Sequence, residues 1–232
     1  MASLWESSSA AFWLLLSFDP TLWEIVGISF RVSLQAILYT SPVGIACGFA
    51  LAYFRFPGRQ VLITLANTLW AVPAVVVGLT LYLLLSRSGP LGDWQWLFTQ
   101  KAMILGQMLL AFPIIVVMAH SAFQASDRRA METALTLGAS PVRAFVTVMH
   151  EVRFGLCAAI IAAFGRVIAE VGCSMMVGGN ILHATRNIPT AIALETSKGA
   201  FTQGIALGIV LVILALGLNF GVVFFRGRGA IR

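Results

Sequence analysis

The sequence contains few charged residues. Only 10% of its 232 residues are Asp, Glu, Lys or Arg, whereas soluble domains carry about 25%. Hydrophobic residues make up 59%, and the mean hydropathy is +0.92. The net charge of +6 is scattered along the chain, so it indicates membrane topology rather than nucleic-acid binding. These proportions predict an integral membrane protein surrounded by lipid.

Sequence signals for chemistry are also scarce. Cys47, Cys157 and Cys173 are far apart and show neither zinc-ligand spacing nor a disulfide framework. His150-Glu151 begins an HExxH-like pattern, but position 154 is Phe154 instead of the second histidine. No Gly-rich phosphate loop occurs, and no aspartate lies within an apolar run, which argues against ATP hydrolysis by this chain and against an intramembrane protease. We therefore expect no bound metal or cofactor and no enzymatic activity.

Residues 1–20 do not resemble a cleaved signal peptide, because they lack a basic n-region and Glu6 precedes a short apolar run at 10–18. That run cannot cross a hydrocarbon core, which needs roughly 20 residues of helix. We expect an external segment with a short interfacial helix, anchored by Trp5, Trp13 and Trp23.

Long apolar runs of helical length dominate the remaining sequence. They predict five membrane-spanning α-helices at about 27–54, 60–86, 102–126, 144–169 and 200–225. The fourth run contains Glu151, Arg153 and Arg166, and the alternative is a re-entrant segment at 154–165. A membrane β-barrel would show alternating segments of about ten residues instead. The predicted fold is therefore all-α, with a transmembrane domain over 21–226 and a tail at 227–232.

Basic residues are distributed unequally between the two sides of this arrangement. One side receives nine of them, namely Arg55, Arg59, Arg128, Arg129, Arg143, Arg153, Arg226, Arg228 and Arg232. The other side receives four, namely Arg87, Lys101, Arg186 and Lys198, while Arg31 and Arg166 lie within spans. The positive-inside rule places the richer side in the cytoplasm. We expect the N-terminus outside, the C-terminus inside and the 127–143 loop on the cytoplasmic face.

The segment 171–199 is too polar to span the membrane and too apolar for an ordinary loop. We expect two short helices, at about 173–177 and 188–197, that lie at the outer face or dip into it as a re-entrant segment. Irregular backbone at that depth is tolerated only where protein buries it or where it lines a cavity. The segment is therefore a candidate wall of a translocation path, and a surface loop without a transport role is the alternative.

The cytoplasmic loop interrupts the apolar pattern with polar residues. Asp127 is placed to cap a helix whose apolar side carries Met131 and Leu135 and whose polar side carries Glu132. Gly138 allows a sharp turn before the next helix. A connector or a helix on the lipid headgroups is the simplest interpretation. About ten residues with a carboxylate and small side chains suit docking into a protein groove better.

The pattern Glu132-Thr133-Ala134, three residues and Gly138 resembles the EAA loop of ABC importer permeases. The resemblance covers roughly 20–225 and implies the type I importer permease fold. It includes the first core span with its following turn at 22–59 and the proline-broken second span at 71–78. In that family the loop forms a coupling helix in a cleft of the ATP-hydrolysing subunit. The implied coupling residues are Arg128, Glu132, Thr133, Ala134, Gly138 and Ala139. The family's usual Ile-x-Leu-Pro continuation is Val148-Met149-His150-Glu151 here, which leaves the entry into the fourth span open.

Two stretches, 169–181 and 190–199, are similar to the tungstate-type members of the molybdate, tungstate and sulfate permease family. This resemblance implies an importer subunit in the prokaryotic inner membrane that moves an oxyanion, most specifically tungstate. It also implies a homodimer of this chain, an external binding protein and two ABC ATPase subunits, which would bind ATP and Mg. The alternatives are a permease for molybdate or another oxyanion and an ATP-independent secondary transporter.

An oxyanion cargo suggests which residues line the path. Tetrahedral dianions are held by backbone N–H groups, helix N-termini, hydroxyls and amides. The candidates for such contacts are Ser174, Gly178, Gly179 and Asn180. Met175 and Met176 are candidates for a flexible apolar gate, and packing filler is the alternative.

Charged residues near the path carry further predictions. Arg166 and Glu170 are four residues apart on one helix face, which predicts an intramembrane ion pair. That pair would pin the fourth span in the bundle or contact the passing anion. His183, Arg186 and Lys198 would face outside, where they would meet the anion, dock the binding protein or simply be solvated.

Overall fold

In the part of the chain that the computed structural model describes, residues 13, 16–17, 19–126, 131, 133 and 135–230, the backbone is helical, without a β-strand. For 222 and 224–230 only the backbone is described. The helices are α1 (Pro20–Tyr53), α2 (Arg59–Trp70), α3 (Ala74–Leu85), α4 (Gln100–Ala125), α5 (Pro141–Glu151), α6 (Arg153–Ile168), α7 (Gly172–Gly178), α8 (Ile188–Ser197) and α9 (Phe201–Ala230), with a 3₁₀ turn at Gly92–Trp94. The predicted all-α fold is confirmed. The predicted interfacial helix within 1–20 lies almost wholly outside the described residues.

Three of these helices are individually long and apolar enough to cross a membrane. They are α1, α4 and the Phe201–Gly221 part of α9. Two bent pairs, α2 with α3 and α5 with α6, meet the same criterion when each pair is taken as one span, which gives up to five. The first span begins at Pro20, earlier than the predicted residue 27, because Asp19 caps α1 by accepting the Leu22 N–H at 2.8 Å.

The predicted second span is not one helix, because the chain bends by 97° between α2 and α3. The bend lies at Ala71-Val72-Pro73, and Pro73 precedes the first residue of α3. Proline has no N–H to continue the α2 hydrogen-bond ladder, and its fixed φ suits a helix start. The pair still meets the length and hydropathy criterion for one span, although its axis is bent.

The predicted fourth span is also divided, by a 70° bend between α5 and α6. The helix breaks at Val152, whose φ of −89° and ψ of 8° lie outside the helical range. Arg153 then turns its guanidinium back onto the carbonyl oxygen of His150 at 3.0 Å. The chain thus changes direction here without the Leu-Pro pair of the related loops.

Glycine contacts define the directions in which the helices run. A methyl group at Gly44 of α1 would touch Ile115 of α4, and one at Gly48 would touch Ala119. The numbering increases in the same direction along both helices, so α1 and α4 are parallel. The intervening α2 and α3 must therefore return the chain to its starting side. This arrangement agrees with counting the bent pair as one crossing.

The core contains two apolar clusters. The larger one joins α1, α3, α4, α5, α6 and α7, and includes Val32, Leu85, Ile115, Phe123, Val148, Val167 and Val177. The smaller one joins the start of α1 to α8 and α9, through Leu22, Ile25, Ile188, Ala191 and Leu207. Helix α6 also runs antiparallel to α9. Gly165 lies near Leu218, whereas the earlier Ile161 lies near the later Gly221, so the numbering increases in opposite directions along the two helices. The segment between α6 and α9 is therefore held on both sides by packed helices.

Candidate translocation and coupling sites

The short helix α7 packs closely against α3 and α4 because glycines occupy the facing positions. A methyl group at Gly78 of α3 would lie 2.8 Å from the Cα atom of Cys173. One at Gly106 of α4 would lie 2.5 Å from the Cys173 Sγ atom. A methyl group at Gly172 of α7 would lie 2.5 Å from a side-chain carbon of Val75 in α3. Real Cβ atoms do not approach other heavy atoms so closely. Larger residues at these glycines would therefore displace α7.

The predicted pathway residues on α7 have different surroundings. Ser174 is only 1% exposed, and its hydroxyl has no hydrogen-bond partner within the described part of the chain. Met176 packs onto the large apolar cluster beside Gly78, which is the filler role that the sequence left open. Met175 is 38% exposed. Of the two methionines, therefore, it is Met175 that lies on the surface of a single copy of the chain.

Gly178, Gly179 and Asn180 form the turn that ends α7. Gly179 and Asn180 have φ values of +69° and +52°, a left-handed conformation that glycine and asparagine adopt most readily. Asn180 donates to the carbonyl oxygen of Thr190 at 3.3 Å, and Arg186 donates to its side-chain oxygen at 3.3 Å. The asparagine amide is thus already engaged within the chain.

Several residues that hold this segment were not identified from the sequence. The buried Thr185 hydroxyl donates to Gly178 O at 2.5 Å and accepts from the N–H of Ile181 at 2.9 Å. Asn187 and Thr190 form a reciprocal capping box at the start of α8. The Asn-x-x-Thr spacing before an apolar helix, with proline in its first turn, was an available signal for that cap. No comparable local pattern indicated Thr185.

A long-range hydrogen bond ties α8 to the first span. The Ile188 N–H at the start of α8 donates to Ser29 Oγ of α1 at 2.7 Å, and both residues are buried. Ser29 also donates to the carbonyl oxygen of Ile25, one turn earlier in α1. The two predicted short helices are therefore present as α7 and α8 and are packed into the bundle.

Arg166 of α6 donates to Oε2 of Glu170, four residues later. Glu170 is 6% exposed, whereas the Arg166 side chain is 42% exposed. The other carboxylate oxygen, Oε1, accepts the N–H of Gly172 at 2.8 Å and the N–H of Cys173 at 3.4 Å. The buried carboxylate therefore connects α6 to the first turn of α7.

The three basic residues of the outer segment each have a partner in the chain. His183 Nδ1 lies 2.6 Å from Glu24 Oε2, and Lys198 Nζ lies 3.0 Å from Glu195 Oε1. Arg186 binds Asn180 through both its side-chain oxygen and its carbonyl oxygen. The His183 and Lys198 side chains are 64% and 52% exposed, so these two pairs also remain in contact with the surroundings of the chain.

The predicted coupling residues fall partly within the described structure. Arg128, Glu132 and Ala134 lie outside the described residues. The carbonyl oxygen of Thr133 accepts the N–H of Leu137 at 3.0 Å and the hydroxyl of Thr136 at 3.0 Å. Gly138 has a φ of +83°, and the half-buried Ala139 connects it to Ser140, the cap of α5.

The apolar side chains of this loop point in two directions. Met131 packs against the large apolar cluster, whereas Leu137 is 82% exposed and Leu135 is 42% exposed. Beyond the turn, α5 buries Ala144 and Val148 but leaves Val142 and Val146 exposed. A surface with several exposed aliphatic side chains is typical of a protein-binding site.

Aromatic packing connects this loop to the bundle. Phe49 of α1 lies 5.3 Å from Phe123 of α4 and 4.6 Å from Phe145 of α5, measured between ring centroids. Tyr53 Oη and Ser126 Oγ, at the ends of α1 and α4, are 3.3 Å apart. Movement of the loop would therefore be transmitted to three helices together. Elsewhere in the described part of the chain, no three His, Cys, Asp or Glu side chains converge as metal ligands.

Comparison with known proteins agrees with this arrangement. A family model described as "Binding-protein-dependent transport system inner membrane component" matches residues 41–227. A probable anion ABC transporter permease protein of Haloferax volcanii is 39% identical over 210 residues, which cover 88% of this chain and 90% of that protein. The tungstate uptake system permease protein TupB of Campylobacter jejuni is 37% identical over 217 residues, covering 94% of this chain and 91% of that protein.

A solved structure shows the same fold. The crystal structure of a bacterial ABC transporter involved in the import of the acidic polysaccharide alginate aligns with a TM-score of 0.73, covering 94% of this chain and 82% of that chain. The sequence identity is 16%, so this likeness concerns the fold and not the cargo.

Proposed function

The chain belongs to the family of binding-protein-dependent transport system inner membrane components, and on that premise we propose that it is the membrane permease of an ATP-driven tungstate importer. It is a multi-pass transport subunit and not an enzyme. An external binding protein delivers the oxyanion, and separate ABC ATPase subunits bind Mg and hydrolyse ATP. The observation that carries the proposal is the 37% identity to a tungstate uptake permease over 94% of this chain.

Two copies of the chain form the pathway at their interface, because one bundle of five spans is too thin to enclose a channel. The excess of arginine at 55–59, 128–153 and 226–232 supports a cytoplasmic C-terminus and an external N-terminus. The outer segment with α7 and α8 then forms part of the wall that the anion passes.

Coupling to ATP hydrolysis takes place at the cytoplasmic loop. The ATPase grips residues 127–140, where the exposed Leu137 and Leu135 support a protein-binding role. ATP binding closes the ATPase pair and moves the loops, and the packed ends of α1, α4 and α5 carry that motion into the spans. The pathway then changes its access from the cytoplasm to the outside.

The cargo is tested with the reconstituted transporter in liposomes. The binding protein is loaded with tungstate, molybdate or sulfate, and the rate of ATP hydrolysis is measured. We expect tungstate to give the largest stimulation. Equal stimulation by all three would exclude tungstate specificity, and no stimulation by any of them would exclude the oxyanion importer.

The coupling residue Glu132 is tested separately. The Glu132→Arg change reverses the charge on the polar side of the loop, so we expect it to abolish uptake while the protein still inserts into the membrane. Uptake and membrane abundance are measured together. Normal uptake by this variant would exclude the proposed coupling role of Glu132.

A further inference from the structure

The ion pair between Arg166 and Glu170 is unsymmetrical in its exposure. Glu170 is buried at 6% exposure, but 42% of the Arg166 side chain is accessible. A charged side chain within a span avoids lipid and faces the bundle interior or a water-filled cavity. We therefore expect the accessible flank of Arg166 to face water or the second copy of the proposed homodimer, and not hydrocarbon.

Exposed residues follow Arg166 along the chain as far as the candidate gate residue Met175. Ala169 and Val171 are exposed on the same stretch of chain, and Met175 is exposed one turn later in α7. Gly172, between them, packs against Val75 of α3. Arg166 thus lies at the accessible edge where α6 passes into α7.

Glu170 makes two kinds of contact at once. One oxygen binds the Arg166 guanidinium, and the other accepts the N–H groups of Gly172 and Cys173. A buried carboxylate that loses its cationic partner becomes strongly unfavourable. Removing Arg166 from the pair therefore favours rotation of the Glu170 side chain toward water, which would release the first turn of α7.

We propose that Arg166 contacts the oxyanion in the pathway and that Glu170 is a positioning residue, which transmits occupancy at Arg166 to α7. The inference rests on the proposed function and adds a contact residue to it. A tetrahedral dianion competes with the Glu170 carboxylate for the guanidinium, because both are oxygen anions suited to it. When the anion displaces the Glu170 carboxylate from Arg166, Glu170 also leaves the N–H groups of Gly172 and Cys173, and α7 moves away from α3.

Cys173 provides a direct readout of that movement. Its side chain is 1% exposed, and its sulfur packs against Gly106 of α4. A reagent can therefore reach the sulfur only after α7 moves away from α4. Cys47 and Cys157 are only partly buried, so both are replaced by alanine. The assembled transporter in lipid nanodiscs, without ATP, is treated with methyl methanethiosulfonate, and labelling of Cys173 is followed by mass spectrometry with and without tungstate.

The variants have distinct expected results. In the parent protein, tungstate should raise the labelling rate at least about fivefold, the lower end of typical coupling factors. Glu170→Gln keeps an oxygen that accepts the N–H groups at the start of α7. Because the amide is neutral, it stays buried without a cationic partner, so Cys173 labelling should stay slow with or without tungstate. Glu170→Ala removes the acceptor, and Arg166→Gln leaves the carboxylate unpaired. Both should be labelled rapidly without tungstate and should not respond to it.

Glu195→Gln is the matched control, because Glu195 is also buried and paired, with Lys198, but lies in α8. It should respond to tungstate as the parent does. The inference is wrong if tungstate leaves Cys173 labelling unchanged in the parent, or if Glu170→Gln responds equally. If tungstate uptake is normal, either result rejects the mechanism at Arg166 and Glu170 and leaves the proposed function standing. Failure of uptake and of ATPase stimulation by every oxyanion rejects the proposed function itself.

Discussion

At the scale of single residues, Gly78 sets how closely α3 and α7 approach. Its absent side chain would lie 2.8 Å from a backbone atom of Cys173, which cannot rotate away as a flexible side chain would. Gly78→Ala should therefore force the helices apart, and overpacking of this kind typically costs about 1–3 kcal/mol. We expect a lower melting temperature of the purified protein and slower oxyanion uptake.

Gly208 of α9 is the control for this substitution. It also lies in a spanning helix, but a methyl group there would meet nothing within 4 Å among the described residues. Gly208→Ala should leave the melting temperature unchanged or raise it slightly, since alanine favours helix more than glycine by about 1 kcal/mol. Equal stability of the two variants would contradict a close approach of α3 and α7.

At the scale of elements, the turn between the coupling loop and α5 depends on Gly138. Its φ of +83° is costly for other residues, although a methyl group would meet none of the described residues within 4 Å. Gly138→Ala should therefore strain the backbone without a clash, at a cost of about 1 kcal/mol. We expect ATP hydrolysis to continue while uptake per ATP falls, because the loop would meet the ATPase at a changed angle.

Gly58 offers a matched comparison on the same predicted side of the membrane. Its φ is +85°, it also has open space around it, and it precedes α2 instead of α5. Gly58→Ala should lower stability by a similar amount and leave the ratio of uptake to ATP hydrolysis unchanged. Gly138→Asn should recover part of the coupling, since asparagine tolerates the left-handed conformation. A loss of coupling in both alanine variants would show that the effect is not specific to the loop.

The elements were predictable from the sequence to different degrees. Uninterrupted apolar runs indicated α1, α4 and α9, because a helix in lipid satisfies its own backbone and requires little else. The resemblance at 71–78 implied a proline-broken second span, and the bend after Trp70 agrees with it. The bend at Val152 was not predicted, although Glu151 and Arg153 interrupt the apolar run beside it. Pro73 was a local signal for the first bend. The second depends on a single non-helical residue and on an arginine that bonds back to His150.

The candidate site was predictable in its residues but not in its contacts. The four-residue spacing identified Arg166 and Glu170 as a pair, because helix geometry brings such positions together. The second role of Glu170 at Gly172 and Cys173 depends on how the chain turns between α6 and α7, which no spacing rule contains. The difference in burial between Met175 and Met176 likewise depends on how closely α3 approaches. That approach is set by Gly78, nearly a hundred positions earlier in the sequence.

At the scale of the whole molecule, α2 has the surface expected at the interface of the proposed homodimer. None of its residues is buried, although it is half of a spanning unit. It exposes Thr64, Asn67 and Thr68, and each of these side chains hydrogen-bonds to the carbonyl oxygen four residues earlier in α2. Polar side chains at membrane depth normally face protein or water. The polar stripe on α2 therefore fits the pathway and the interface of the proposed homodimer better than lipid.

Crosslinking distinguishes this interface from a lipid-facing surface. In a two-fold dimer, residues near the axis lie close to their own copies. Asn67→Cys, in a chain without the three native cysteines, should therefore form dimers with a short bifunctional thiol reagent. Val212→Cys on α9 is the control, because Val212 is 58% exposed among apolar neighbours such as Ile213. Dimers of the Val212 variant without dimers of the Asn67 variant would place the interface on α9, leaving the α2 stripe without a role in the pathway.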